Sequence, residues 1–273
     1  MSPRSGWEFA GLTNPGCVRS NNEDSLCVDS ELGLLVVADG MGGHNSGEVA
    51  SALAVSTIRD QARRLLPAGA ALAPENGGAR VAPRGRQLEY LVQNANTVIY
   101  ERGRVFPKNA GMGTTVVAVL VDEKSLSVAH VGDSRLYLLR QGVLSQLTED
   151  HSLVGDQVRH GLITPEAAAH STLQNILTRA VGAEAEVKVD VSEHPVLPGD
   201  VLLLATDGLN KMVGDDQIAR ILATQADPGR MSEALVKLAC RAGGLDNITV
   251  VCGRLLPLPA RRFWGEVAKF LKF

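Results

Sequence analysis

Five aspartates share a setting that most of the acidic residues lack. Asp39 and Asp207 each close an apolar run and precede glycine, in Ala38-Asp39-Gly40 and Thr206-Asp207-Gly208. Asp133 stands between two β-prone runs in Gly132-Asp133-Ser134-Arg135, Asp24 precedes Ser25 to Val28, and Asp246 opens the run from Asn247 to Leu255. Strand ends are where a rigid scaffold gathers side chains from distant stretches of chain. Bare carboxylates gathered there repel one another by several kcal/mol at an effective dielectric of about 20. A hard divalent cation removes that repulsion, and carboxylate with water is the ligand set suited to Mg²⁺ or Mn²⁺. Taken singly, Asp-Gly after a strand is an ordinary turn, and spacing alone leaves turn and metal site evenly matched. Gly199-Asp200, after Pro198, reads as a turn.

Other chemistries lack their residues. There is no G-x-x-x-x-G-K-[ST] loop, no H-E-x-x-H helix and no G-x-S-x-G elbow. None of the four cysteines has Arg six positions on, which excludes a cysteine-nucleophile phosphatase loop, and the six histidines are dispersed. Against 30 Asp and Glu stand 27 Lys and Arg, a net charge of −3 with no basic footprint for nucleic acid. Aromatics at 4% offer few stacking platforms for single strands. The cysteines form no C-x-x-C pair, and Met1 to Phe9 has no apolar signal core; a cytoplasmic protein with its thiols in the core is the expectation. No apolar run approaches the roughly 18 residues of a membrane span.

The elements that must position the aspartates follow from the pattern. Gly33 to Ala38 is a continuous apolar run, a buried strand ending at Asp39-Gly40. A helix is predicted over Glu48 to Leu66 with Ser46 as its N-cap, and another from Arg86 to Val105. Between them residues 67–85 are rich in Pro, Gly and Ala and read as a flexible surface insertion. Thr114 to Val121, Leu126 to Val131, Arg135 to Arg140 and Val143 to Leu147 are short strands on connections that favour antiparallel hairpins. His151 to Ala169 is polar and helical, with Pro165 in a first turn. Strands follow at Val187 to Val191 and Val201 to Thr206, helices at Asp215 to Thr224 and Arg230 to Ala242, and a last strand at Asn247 to Leu255. Strands bracketed by paired helices predict an α+β layered sandwich in one domain.

The ordered series Arg19…Asn22-Glu23-Asp24, Val37-Ala38-Asp39-Gly40-Met41-Gly42-Gly43-His44, Gly113-Thr114-Thr115, Val131-Gly132-Asp133-Ser134-Arg135, Leu147-Thr148-Glu149-Asp150-His151, Ala205-Thr206-Asp207-Gly208-Leu209 and Asp246-Asn247-Ile248-Thr249 resembles the metal-dependent protein phosphatases of type 2C. The likeness runs over residues 7 to 255 in the family's order, in the wording of its compact bacterial branch. It implies a four-layer α-β-β-α sandwich, two central antiparallel sheets flanked by helix pairs. It also implies hydrolysis of phosphoserine and phosphothreonine on proteins by a hydroxide bridging two Mn²⁺ or Mg²⁺ ions, with no covalent intermediate. By the resemblance Asp39 bridges the two ions and the Gly40 carbonyl completes one coordination sphere. Asp207 and Asp246 then serve the second ion, Glu23 and Asp24 act largely through water, and Asp133 with Asp207 holds a weaker third ion. Arg19 is the phosphate clamp, since a guanidinium meets two phosphate oxygens at once. In many relatives His directly follows the Asp-Gly as general acid; here that position is Met41, which leaves His44 or a water for the proton.

The resemblance makes residues 1–256 the catalytic domain and 151–175 a mobile flap, where Arg159, His160 and His170 suit substrate contact as well as a plain solvated hairpin. Asp150-His151 reads as a cap and hydrogen-bonding element. In the C-terminal amphipathic tail, 257–273, Phe263, Trp264, Val267, Phe270 and Leu271 share one helical face. It reads as a helix folded back on the domain rather than a docking segment, 261–273, for a membrane or partner. The implied partners are phosphoproteins made by a Ser/Thr kinase. Two rivals keep the fold or the ions: a catalytically silent phosphoprotein-binding adaptor, whose mark would be lost carboxylates, and a two-metal nuclease, which would need a basic track.

Overall fold

The computed structural model describes residues 6–43, 46–66, 82–164, 167–168 and 171–256. His44, Pro165, His170, the larger part of the 67–85 insertion and the 257–273 tail lie outside the described residues. Eleven strands and six helices are described, all strand pairs being antiparallel. One sheet has the order β1-β11-β10-β7-β8, from Trp7–Asn14, Ile248–Leu255, Val201–Ala205, Arg135–Arg140 and Val143–Gln146. The other has the order β2-β3-β5-β6-β9, from Asp24–Asp29, Leu34–Met41, Val116–Val121, Ser125–Val131 and Asp190–Pro195; the two-residue β4, Gly113–Thr114, pairs with the end of β3.

The continuous apolar runs are explained by three separate apolar layers. Along β3, Leu34, Val36 and Ala38 face α1 (Ser46–Leu65) and α2 (Pro83–Val105), while Leu35 and Val37 face the other sheet. Along β10, Val201, Leu203 and Ala205 face α5 (Asp215–Thr224) and α6 (Pro228–Arg241), while Leu202 and Leu204 face inward. A strand buried on both faces loses the hydrophobic alternation of a half-exposed one. Ala50, Ala54, Ile58 and Ala62 recur every fourth residue on α1, a buried apolar stripe that seats the helix on the sheet. The result is the four-layer α-β-β-α sandwich, and no described helix is long and apolar enough to cross a membrane.

Several boundaries differ from those the sequence predicts. Trp7–Asn14 forms an unpredicted strand: its residues are mixed in polarity because it lies at a sheet edge, held by its full eight-residue pairing to β11. Ser46 does not cap α1; its hydroxyl donates to the carbonyls of Gly43 and Lys108. Pro83 to Gly85, placed in the insertion, begin α2, where proline suits the first turn. Thr115 interrupts the strand expected from Thr114 to Val121. Of the helix expected from His151, the described residues show α3, Leu153–Arg159, whose cap is Ser152 rather than Asp150, and helical residues again at 167–168. The strand expected at Val187–Val191 is the half-exposed edge strand Asp190–Pro195. α6 starts at Pro228 because Asp227 accepts from the Arg230 amide. Cys27 and Cys252 are core residues, but Cys17 is exposed and Cys240 half-buried.

Candidate metal centre

The five aspartates meet at one edge of the sandwich, where both sheets contribute. Asp24 and Asp39 are direct partners across the β2–β3 ladder. Asp207 opens the one-turn helix α4, Asp207–Asn210, at the end of β10, and Asp246 lies two residues before β11. Asp133 sits in the connection between β6, of one sheet, and β7, of the other.

Glycine after each central aspartate is dictated by close approach. A Cβ on Gly40 would stand 2.0 Å from the Gly47 carbonyl oxygen and 2.6 Å from that of Glu23. A Cβ on Gly208 would stand 1.9 Å from the Asn247 oxygen. The Asp-Gly pairs are therefore packing joints as well as strand ends.

Hydroxyls and one amide hold the acids in place. The Asp39 amide donates to Thr115 Oγ1 at 3.0 Å, and Thr115 Oγ1 lies 2.7 Å from Ser134 Oγ, next to Asp133. The Asp39 carbonyl accepts from the Thr115 amide and the Thr114 hydroxyl, both at 2.8 Å. Thr206 Oγ1 donates to Asp24 Oδ2 at 2.9 Å. Asn247 accepts from the Glu23 amide at 2.8 Å and donates to the carbonyls of Pro15 and Asn21, so it pins the loop that carries Glu23. His151 Nδ1 accepts from the Gly132 amide at 3.0 Å while Nε2 faces Asp190 Oδ2 at 3.0 Å. An accepting Nδ1 leaves the proton on Nε2, which makes His151 a neutral brace behind Asp133.

The electrostatics are those of crowded anions. Burial raises Asp24 to about 7, opposed by hydrogen bonds from Thr249 and Thr206 and helped by the charges of Asp207 and Asp246. Burial and Asp207 raise Asp133 to about 7 as well. Asp39 is pushed well above the carboxylate range by burial and by the charges of Asp24, Asp207 and Asp133.

Among the described residues, no three His, Cys, Asp or Glu side chains close on an ion as they are oriented. Two of the acids turn to cations of the chain instead. Asp207 Oδ2 contacts Lys211 Nζ, and Asp246 Oδ2 meets Arg19 Nη2 at 2.9 Å. Arg19 thus pairs with Asp246. Glu23 accepts from Asn21 Nδ2 at 3.2 Å. Yet Asp24 Oδ1 and Asp207 Oδ1 are buried without any hydrogen-bond partner. Orphaned anionic oxygens are costly, and an oxygen-only set with two of them bare fits a hard divalent cation.

A pocket of roughly 560 Å³ opens beside the centre, lined by Asp133, Asp207 and Lys211, by Ser152, and by Val158 and Arg159 of α3. Arg135 and Asp150 also line it, joined through Arg135 Nη2 and Asp150 Oδ2 at 2.7 Å. The hydrogen-bonding part expected of Asp150-His151 is observed; the capping part falls to Ser152. Thr206, Thr115, Asn247 and Lys211 were not singled out by sequence reasoning. The fourth-residue spacing of Lys211 from Asp207 was a signal for one of them.

The family model described as Protein phosphatase 2C matches residues 18–240. The serine/threonine phosphatase stp of Listeria monocytogenes is 37% identical over 242 residues, covering 88% of this chain and 92% of that protein. The serine/threonine protein phosphatase PstP of Mycobacterium tuberculosis is 38% identical over 243 residues, covering 89% of this chain and 44% of that longer protein. The crystal structure of the M. tuberculosis phosphatase PstP/Ppp superposes with a TM-score of 0.79 at 35% identity, covering 92% of this chain and 99% of that one. The PstP catalytic domain in complex with two manganese ions superposes with a TM-score of 0.77 over the same shares.

Proposed function

The chain belongs to the protein phosphatase 2C family and is a metal-dependent phosphoserine and phosphothreonine phosphatase of the bacterial branch, and from that premise we propose which of its residues carry the reaction. Asp39, Asp207 and Asp246, with the Gly40 carbonyl, hold two Mn²⁺ or Mg²⁺ ions; Glu23, Asp24 and Asp133 complete the anionic shell. The observation that carries this reading is the pair of bare buried oxygens, Asp24 Oδ1 and Asp207 Oδ1, in a cluster drawn from both sheets. Two such ions supply Lewis-acid polarisation of the phosphoryl oxygens and lower the pKa of water.

The chain's own groups then position. Thr115 and Thr114 fix the backbone of Asp39, and Thr206 fixes Asp24, so the acids keep their places without reorganising. Arg19 is more than half exposed at 55% and among the described residues pairs with Asp246, so it can swing to a phosphate at little cost. His44, beyond Gly43 at the end of β3, is one candidate to protonate the leaving alkoxide, a water the other. The substrate is a phosphoprotein; we assign its formation to a Ser/Thr kinase, and four free cysteines support a reducing cytoplasmic setting for both. The adaptor reading finds no support, since every carboxylate of the series is present. The test is hydrolysis of a phosphothreonine peptide by Asp39→Asn: loss of Mn²⁺-dependent turnover with the fold retained supports the assignment, and full activity sinks it.

A further inference from the structure

Cys17 and Cys240, 223 residues apart in sequence, meet on the seam behind Arg19. Cys17 Sγ donates to the Cys240 carbonyl at 3.6 Å, and Cys240 Sγ lies 3.8 Å from Asn14 Oδ1. The two thiols face each other: burial first, and then the Cys17 thiol, push that of Cys240 above its ordinary value. Cys17 is exposed and Cys240 half-buried, whereas Cys27 and Cys252 are enclosed in separate apolar layers. The seam is tight. The Cys17 amide donates to the Gly244 carbonyl at 2.7 Å, and a Cβ on Gly16 would stand 2.2 Å from the Asp246 carbonyl oxygen. It joins the loop that carries Arg19 to the turn after α6 that leads to Asp246, the partner of Arg19. Asn247 pins that loop on both sides of Cys17, through the carbonyls of Pro15 and Asn21.

We propose that Cys17 and Cys240 are a thiol pair that a hydroperoxide oxidises to a disulfide, a reversible brake on phosphate binding by Arg19. A disulfide needs two sulfurs already brought face to face by the fold, and this pair has that arrangement. The exposed Cys17 thiolate attacks a peroxide oxygen, the O–O bond breaks, hydroxide leaves, and Cys17 becomes a sulfenic acid. Cys240 then loses its proton and attacks that sulfur, expelling the hydroxyl as water. With hydrogen peroxide, two thiols are oxidised to one disulfide and the peroxide is reduced to two waters. A dithiol reductant reverses the bond, and transient disulfides of this kind are compatible with a reducing cytoplasm. The hydrogen bond from Cys17 to Gly244 opens and closes; a covalent bond does not, so the oxidised chain holds the Arg19 loop against Asp246. The effect on turnover rests on the reading of Arg19 as phosphate clamp, whereas formation of the bond does not.

The test treats full-length wild type, C17S and C240S with hydrogen peroxide, removes it, and maps disulfides by peptide mass, with circular dichroism to establish folding. Wild type should yield a Cys17–Cys240 linked peptide that dithiothreitol separates, and should melt about 5 °C higher when oxidised. Its KM for a phosphothreonine peptide should rise severalfold, inhibition by inorganic phosphate should weaken, and kcat should change little. C17S and C240S should keep their KM through the same treatment. Absence of the Cys17–Cys240 bond, or a fully bonded protein with unchanged KM, would overturn the proposal. R19A separates the underlying reading: if its KM and phosphate inhibition match wild type, the clamp assignment has failed whatever the thiols do.

Discussion

Thr206 Oγ1 and Asp24 Oδ2, 182 residues apart, form a buried hydrogen bond of 2.9 Å that links the last residue after β10 in one sheet to the first residue of β2 in the other. The same hydroxyl accepts from the Thr249 amide at 3.0 Å. One side chain therefore joins β10, β11 and β2 at the place where the acids converge. Asp24 is anchored by one oxygen and presents the other bare.

Thr206→Val keeps the shape and removes both bonds. Hydrogen bonds to a charged partner contribute about 1.5–3 kcal/mol, so thermal unfolding should show a loss of that order together with weaker Mn²⁺ binding. An unchanged melting temperature would mean that the bond contributes nothing to the sheet docking.

Metal removal should destabilise the wild-type fold, and Asp39→Asn should stabilise the metal-free one. Carboxylates raised above their unfolded value bind more protons folded than unfolded, so metal-free stability should fall as pH rises from about 4 toward 7. Mn²⁺ should reverse that fall, and in chelator D39N should melt higher than wild type. Melting curves at pH 5 and pH 8 with and without Mn²⁺ decide it; a D39N that melts lower in chelator removes the repulsion argument.

Arg19→Ala should cost phosphate recognition rather than fold. The expected result is a 10- to 100-fold lower kcat/KM on a phosphopeptide, in line with losing about 1.5–3 kcal/mol of charge-assisted bonding, and weaker inhibition by inorganic phosphate. Arg19→Lys should recover only part, since an ammonium cannot make the two-pronged contact. Equal phosphate inhibition in all three proteins would remove Arg19 from the site.

His130 is buried beside His151, ring centroids 4.5 Å apart, and its Nε2 has no partner. Burial and the neighbouring imidazole hold its pKa down to about 3, below the usual value of 6.5. Between those values the unfolded chain binds a proton that the folded one refuses, so stability falls as pH drops, by roughly 1 kcal/mol per unit from this group. Denaturant unfolding of wild type and His130→Gln between pH 4 and pH 7 should show a shallower acid loss in the variant. Parallel curves would rule the residue out.

Gly40→Ala should fail to assemble the centre, because its methyl would lie 2.0 Å from the Gly47 carbonyl oxygen. Backbone cannot move aside as a side-chain tip can. Low soluble yield or a melting point well below wild type is expected; a stable, active G40A would show that the joint is looser than the geometry implies.

The sequence made the strands and the acids legible for one reason: both leave short-range marks. Leu34 to Ala38 is apolar at every position because both faces of β3 are covered, and Asp39 is marked by the glycine that must follow it. Thr206 left no such mark. A threonine at a strand end is common, and its bond to Asp24 exists only once two sheets have docked. β1 was missed for a related reason, since its place depends on β11 far away in sequence and not on its own polarity pattern. Arg19 stands in a legible motif, but its partner, Asp246, could not be read from the two motifs separately.

The ladder between β1 and β11 has a consequence for how the enzyme can be attached to other things. It runs from Asn14 opposite Ile248, at the metal centre, to Trp7 opposite Leu255, with Leu256 donating to the Gly6 carbonyl beyond. At about 3.4 Å per residue, chain leaving before residue 6 or after residue 256 departs about 24 Å along the ladder from the catalytic edge. A tether, fusion partner or anchoring segment joined at either end would fix the enzyme's location while leaving its mouth free to meet substrate.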